Sequence, residues 1–316
     1  MRQFITRAYN SFEVDELRST ITKTSETDRL ADEIGYYKAI SSTSLGVLFP
    51  RLVSYHTGET NKLEIEYYNY LDLGHQMLNV CDWDLLSQRL NSILDMFENH
   101  RYLVNGQICD TSSDLKRAMY VDKTVKYQKE LVSEFEYFKS LDRHKEVVVN
   151  GKPLLNFSSV WPKALRLIES KLLDNKPLSA IHGDMCFSNI LYDPDLLTLR
   201  LLDPRGSFGE KGFYGDPRYD VAKLRHSYHG GYEFIIQDKF TVDYQDNSIN
   251  FELDYPESLK HSITNSFEQH TRFSNEDCKL IEGLIFIGMC SRHYDNLDRQ
   301  LVMYATGLEI LNEVTS

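Results

Sequence analysis

The segment that most narrows what this chain can fold into lies past its middle. Between Leu178 and Ala222, apolar strand-like runs and a helix start carry acidic residues at three closely spaced places. Leu178–Asp193 (LSAIHGDMCFSNILYD) delivers His182, Gly183 and Asp184 into a loop, sets Asn189 five residues after the aspartate, and resumes a strand at ILY. Leu199–Gly206 (LRLLDPRG) reads as a strand ending in Asp203, and Gly215–Ala222 (GDPRYDVA) opens a helix. Mg²⁺ takes hard oxygen ligands, usually one or two carboxylates completed by substrate phosphates and water. Asn189 and Asp203, at the ends of adjacent strands, can supply such ligands. Asp184 is then free to accept a proton from an attacking hydroxyl. Phosphoryl transfer needs this division of labour: the nucleophile positioned, the phosphates neutralised, and both held in line.

The chain changes character near residue 70. At roughly 100–200 residues per domain, 316 residues allow one large domain or two lobes sharing a cleft. Residues 1–70 read as a small sheet carrying one helix. Ser19–Thr24 alternates and is β-branched, which favours a strand. Asp28–Ile40 places Leu30, Ile34 and Tyr37 on one helical face. Arg51–His56 and Leu63–Tyr68 are strand-like runs around a turn. Residues 71–316 read as mainly helical: Trp83–Phe97, a charged helix or helix pair over Ser112–Leu141, Val160–Leu173, Leu259–Phe273, Asn275–Ser291 and Leu297–Val314. Ser274 with Asp277 resembles a capping box. Strands return between Tyr232 and Tyr255 around a QDNS turn. The expected fold class is α+β, a small sheet-plus-helix lobe followed by a larger helical lobe.

Composition excludes several classes. The net charge is −12 and no basic run occurs, which argues against a protein that binds nucleic acid by neutralising phosphates. The N-terminal residues lack the apolar core of a secretory signal, and the longest apolar stretch, Leu284–Cys290, is far too short to span a bilayer. Five cysteines (81, 109, 186, 278, 290) without CxxC spacing suggest free thiols in a reducing compartment. The expectation is a soluble cytoplasmic protein with no nucleic-acid partner and no membrane insertion.

The series HGD-x4-N, a strand ending in Asp, and GDPxYD resembles the aminoglycoside phosphotransferase and choline kinase-like family of small-molecule kinases. The match is specific over about forty-five residues, while lobe order and size agree over essentially the whole chain. HGDMCFSNILYD and DPRGSFG are most similar to a bacterial subgroup associated with capsule and surface-polysaccharide gene clusters. The resemblance implies a two-lobed protein-kinase-like fold, ATP and Mg²⁺ as cofactors, and a small-molecule hydroxyl acceptor such as a sugar or polyol precursor of a surface glycan. It makes Asp184 the catalytic base, His182 a support of the catalytic loop, and Asn189 and Asp203 the metal ligands. Asp216 and Asp220 would brace that loop from the following helix. Upstream it implies a strand lysine on the ATP phosphates and a helix glutamate orienting it. Lys23 and Glu33 are the candidates, with Glu26 and Asp32 as alternatives to Glu33. A hinge around Glu66–Tyr70, including Glu66 and Tyr68, would meet adenine mainly through backbone groups. No glycine occurs between Met1 and Ile34, so the Gly-rich loop of protein kinases is missing. A nucleotide-binding scaffold without turnover would keep the same constellation.

Other features carry bland readings beside sharper ones. The four glycines of RGSFGEKGFYG permit a mobile substrate-side loop or a plain connection. Cys186, His226 and His229 are expected to pack rather than to react or bind metal, and His293 either faces the cleft or does not. Lys116, Arg117, Lys123, Lys126 and Lys129 read as a solvated helix face. Tyr36, Tyr37, Tyr67 and Tyr68 read as core.

Overall fold

The computed structural model describes residues 10–80, 82–101, 103–104, 107–108 and 112–316, the second and third of the short stretches as backbone only. Its first element is a sheet of β1 (Asn10–Asp15), β2 (Thr20–Ser25), β3 (Leu52–His56) and β4 (Asn61–Glu66), antiparallel throughout in the order β1-β2-β4-β3. Threonine and isoleucine fill β2, where branching at Cβ suits a pleated surface. The register sets Lys23 between Phe12 of β1 and Leu63 of β4. Helix α1 (Asp28–Ile40) buries Leu30, Ile34 and Tyr37 at helical spacing, and Glu33 shares that buried face. A carboxylate there requires a partner, and the sheet supplies it.

Beyond Glu66 the chain becomes mainly helical. The Trp83–Asn99 helix packs on the Glu257–His270 helix, and the Asn275–Cys290 helix packs on those at Pro217–Tyr228 and Leu297–Val314. Two short antiparallel pairs lie between them: Ile190–Asp193 with Thr198–Leu201, and Ser179–Ala180 with Tyr214–Gly215. One apolar core lies within the helical part, around Leu131, Phe138, Ile168, Phe286 and Tyr304. A second runs from Leu30 and Ile34 of α1 through Phe49 to Trp83, Phe187 and Tyr228. The small lobe is therefore seated on the large one through shared packing, and the Tyr36 hydroxyl donates to the Ile181 carbonyl at 3.0 Å just ahead of the HGD loop. This is the α+β, two-lobed arrangement expected from the sequence.

Three expectations are corrected. Strands do not resume at Tyr232: Tyr232–Ile236 is a short helix entered through Gly231 at φ 69°, and the hairpin runs from Phe240–Gln245 to Ser248–Leu253. Every residue of that five-residue helix is buried, so its sequence carries no period to separate helix from strand. The Ser112–Leu141 stretch is broken into helices at Ser112–Arg117, Lys123–Glu134 and Glu136–Asp142, with a π-helical turn at Ala118–Asp122. That inserted turn shifts the faces on either side of it, so the charges do not form one solvated stripe. Lys116 is buried and donates to the Asp174 carboxylate and to the carbonyls of Asp174 and Lys176 at 2.9 and 3.0 Å. Lys123 is half-buried against the Tyr127 ring. The third correction concerns the tyrosine pairs, because Tyr36 and Tyr37 are core whereas Tyr67 and Tyr68 are half-buried and line the cleft.

The expected helix cap at Ser274 stands. Ser274 Oγ accepts the Asp277 N–H at 3.3 Å and caps the helix that follows. Cys186, Cys278 and Cys290 are buried free thiols, while Cys81 and Cys109 lie outside the described residues. No described helix is long and apolar enough to cross a membrane.

Candidate active site

A cleft of about 530 Å³ opens between the sheet and the helical part, with Phe12, Ile21 and Lys23 on one side and Asp184, Asn189 and Asp203 on the other. Lys23 spans it. Its ammonium lies 2.6 Å from Glu33 Oε2 and also contacts the Asp203 carboxylate. The ten residues between Lys23 and Glu33 suffice because α1 starts three residues after β2 ends and Glu33 sits about one and a half turns along it. Of the alternatives, Asp32 pairs instead with Lys211 at 2.8 Å, and Glu26 is exposed. Burial pushes the Glu33 carboxyl up to about 8, against the pull of Lys23. Burial also opposes the Lys23 charge, but Asp203 and Glu33 together hold the ammonium above the usual lysine range. Lys23 in turn keeps Asp203 below the usual carboxylate range despite its desolvation.

The HGD loop is held from beneath by Asp220. Its two carboxylate oxygens accept the backbone N–H groups of His182 and Gly183 at 2.6 and 2.8 Å. Burial raises the Asp220 carboxyl to about 7, and those two donors work against the rise. Gly183 sits at φ 77°, and a Cβ there would lie 2.8 Å from Arg205 Cβ, so only glycine passes without a shift. His182 is fully buried and stacks on Phe49 at 5.9 Å, its burial lowering the imidazole to about 4. Its Nδ1 accepts the Asp184 N–H at 3.2 Å, which orients the next residue. Asn189 closes the loop by donating from Nδ2 to the Asp184 carbonyl at 2.9 Å.

The carboxylate of Asp184 has a partner that sequence reasoning missed. Lys223 Nζ lies 2.9 Å from Asp184 Oδ1. Burial alone would raise the Asp184 carboxyl, but Lys223 and then Arg205 outweigh it and hold the group well below the usual range. A signal for Lys223 existed: it follows Asp220 by three residues in GDPRYDVAK, which puts both on one face of the helix. Asp216 acts one step removed from the loop. It caps the Pro217–Tyr228 helix by accepting the Arg218 N–H at 3.0 Å and pairs with the Arg218 guanidinium at 2.8 Å. Glu66 and Tyr68 lie together on the cleft wall, the Tyr68 hydroxyl donating to Glu66 Oε2 at 2.9 Å.

Asp203 has φ 58°, an uncommon conformation for a residue with a side chain. Such conformations cost of order 1–3 kcal/mol and persist where their surroundings enforce them. Here the flanking backbone is strapped on both sides, Leu202 N–H to the Asn189 carbonyl at 2.8 Å and Arg205 N–H to the His182 carbonyl at 3.0 Å. The strain leaves the Asp203 side chain half-exposed in the cleft. Among the described residues no group of three or more His, Cys, Asp or Glu could hold a metal by itself. With Asn189 Nδ2 committed to Asp184, what remains is one amide oxygen and one accessible carboxylate. That donor set fits Mg²⁺, which arrives with phosphates and water and needs few protein ligands.

The neighbouring features resolve toward packing. His226 lies between the rings of Tyr232 and Phe286 at 4.2 and 4.3 Å, and His229 pairs with Glu282 at 2.9 Å. Burial pushes the Cys186 thiol well up. His293 is buried and lines the cleft. The glycine-bearing loop is clamped to α1: Gly206 passes so close that a Cβ there would lie 2.3 Å from the Asp32 carbonyl oxygen.

No family profile matches the sequence, and a search of curated proteins gives no significant match. Solved structures do match. Aminoglycoside phosphotransferase APH(4)-Ia superposes with a TM-score of 0.59 at 10% identity, over 98% of this chain and 92% of that one. An ethanolamine kinase from Plasmodium vivax gives 0.58 at 10% identity, over 99% and 84%. ADP-bound aminoglycoside phosphotransferase APH(2'')-Ib gives 0.53 at 13% identity, over 98% and 90%. At these identities the likeness is one of fold: the chain has, over nearly its whole length, the two-lobed kinase-like fold of aminoglycoside phosphotransferases and an ethanolamine kinase.

Proposed function

We propose that the chain is an ATP- and Mg²⁺-dependent small-molecule kinase that phosphorylates a hydroxyl group of its substrate. The observation that carries this reading is the convergence on one cleft of Lys23, Glu33 and Asp203 with Asp184 and Asn189, drawn from positions 180 residues apart in sequence. Lys23 is placed to meet the nucleotide phosphates, with Glu33 orienting it. Asn189 and Asp203 would hold Mg²⁺, whose charge offsets that of the phosphates. Glu66 and Tyr68 stand where the adenine side of the cleft is expected, His182 and Asp220 fix the loop, and Asp216 caps the helix that carries Asp220. Asp184 orients the acceptor hydroxyl and receives its proton. The oxygen forms a bond to the γ-phosphorus as the bond to the β,γ-bridging oxygen breaks and ADP leaves. The ADP carried by one of the structurally similar phosphotransferases supports the choice of nucleotide. The subgroup resemblance supports a sugar or polyol precursor of a surface polysaccharide as acceptor. A cytoplasmic setting accords with ATP as donor and with the buried free thiols.

Thermal unfolding with and without Mg·ATP tests the nucleotide site before any acceptor is known. Ligand at a hundred times its dissociation constant stabilises the native state by about 2.7 kcal/mol. The wild type should shift and Asp203→Ala should not. Radiolabelled transfer from ATP to an acceptor library then tests chemistry, where Asp184→Asn should bind nucleotide normally and lose about 10²–10⁴-fold in turnover. Absence of any shift with the wild type refutes the reading. Binding without transfer to any acceptor would make the chain a nucleotide-binding scaffold instead.

A further inference from the structure

The helical wall of the cleft near Asp184 gathers more positive charge than Asp184 alone offsets. Arg205 and Arg292 line it. Lys123 Nζ and Arg292 Cζ share the Tyr127 ring, 5.6 and 4.6 Å from its centroid, and Arg292 also donates to the Tyr127 hydroxyl. Lys223 completes the group and has its counter-charge in Asp184. Among the described residues Arg205, Lys123 and Arg292 have no ion-pair partner, and Arg205 Nε is buried without an acceptor. Arg205 Nη1 donates only to the neutral Tyr219 hydroxyl, at 3.2 Å. The nearby Arg299 differs, since Asp238 neutralises it at 2.6 Å. Asp295 stands exposed at the rim.

Like charges gathered on a partly desolvated wall repel, and the fold bears that cost where an anion is to be received. The repulsion registers on Lys123, whose ammonium is driven well below its usual value by burial and then by Arg205, Arg292 and Lys223. The net charge of −12 would suggest a cationic acceptor, but the local wall has the opposite sign. Lys123 and Arg292 are carried by other elements than the sheet-borne Lys23: Lys123 and Tyr127 belong to the Lys123–Glu134 helix, and Arg292 follows the Asn275–Cys290 helix.

We infer that the acceptor carries an anionic group, a carboxylate or a phosphate, in addition to the hydroxyl it presents to Asp184, and that Arg292 and Arg205, which line the cleft, bind this group, with Lys123 adjoining Arg292 at the Tyr127 ring. Arginine suits the task because its planar fork meets either oxyanion through two hydrogen bonds. The inference rests on the kinase reading and names the substrate class of that site.

The test is a set of thermal-unfolding titrations at saturating Mg·ADP, with malonate, inorganic phosphate, glycerol and choline as probes and sodium chloride holding ionic strength constant. Malonate or phosphate should stabilise the wild type with a dissociation constant of about 1–10 mM, the tighter of the two indicating which oxyanion the wall prefers. Choline and glycerol should not bind. Arg292→Ala should weaken anion binding at least tenfold and Arg292→Lys less, with Mg·ADP affinity unchanged in both. Arg292 is exposed, so its variants should fold, and their ligand-free melting checks this. Three results overturn the inference while leaving the kinase reading intact: choline binding in preference to both anions, no anion binding to the wild type, or Arg292→Ala losing Mg·ADP affinity instead. Failure of the wild type to bind Mg·ADP defeats the kinase reading, and the inference with it.

Discussion

Replacing Lys223 by methionine isolates the contact that fixes Asp184. The two charges lie 2.9 Å apart, with the lysine side chain 3% exposed and the aspartate 31% exposed. Breaking a fully buried pair from one side costs about 3–5 kcal/mol. Water reaches nearly a third of Asp184, so screening reduces the expected loss to about 2–3 kcal/mol. Methionine keeps the length of the side chain while removing the charge, which also stands over the Tyr232 ring. Asp184→Asn alone should cost a similar amount, since it strands a buried ammonium. The double variant carries neither charge and should be more stable than the sum of the single losses, with a coupling energy of about 2 kcal/mol. Urea unfolding of the four proteins measures it. The pH dependence supplies a second readout. In the wild type the Asp184 pKa is depressed, so its contribution is present above the unfolded value of about 3.9 and is lost only below it. Without Lys223, burial dominates and lifts the pKa above the unfolded value, so stability should fall as pH rises through the new one. The penalty of Lys223→Met should therefore shrink between pH 7 and pH 4. A coupling energy below about 0.5 kcal/mol, or a penalty independent of pH, refutes the electrostatic account of this pair.

Further outcomes follow from neighbouring groups. Asp220 has a folded pKa of about 7, above its unfolded value, so the stability it contributes is present at low pH and is lost as pH rises through 7. Asp220→Asn cannot ionise and should flatten that slope, measured as urea midpoint against pH; an unchanged slope would assign it to other groups. Lys123→Met removes a member of the repelling cluster and should melt above wild type without ligand; a lower melting temperature would contradict the repulsion. Gly206→Ala forces a methyl against the Asp32 carbonyl at φ 69°, and should destabilise by at least about 1 kcal/mol; a neutral effect in chemical unfolding would show that the loop is not clamped to α1.

Local spacing decided which parts of the site could be read in advance. Asn189 and Asp203 flank two paired strands, and His182 and Asp184 follow the short strand just ahead of them, so their order along the chain nearly determines their neighbourhood, and Asp184, Asn189 and Asp203 line one cleft. Lys23 and Glu33 were legible as a strand–helix pair, while the choice among Glu26, Asp32 and Glu33 needed the direction in which α1 faces. Lys223 lay within reach of a helical-face argument. The cationic wall did not, because Lys123, Arg205 and Arg292 meet only through tertiary packing and the π-helical turn at Ala118–Asp122 undoes the simple charge stripe. Net charge pointed the other way, since it sums over a surface and says nothing about one wall of one cleft.

Lys223 and the wall bear on the same chemical question. A carboxylate held far below its usual pKa is a weak base, and general-base catalysis weakens with basicity. On the kinase reading Asp184 thus contributes orientation more than proton affinity, which a loose phosphoryl transition state tolerates because the acceptor hydroxyl need lose its proton only late. Rate must then come from holding the acceptor oxygen in line with the phosphorus. A hydroxyl alone offers one hydrogen bond for that purpose. A second, charged anchor on Arg292 and Arg205 would fix the rest of the acceptor and turn remote binding energy into alignment. Truncating that anchor should accordingly lower kcat as well as raise KM, whereas a wall that only attracted the substrate would change KM alone.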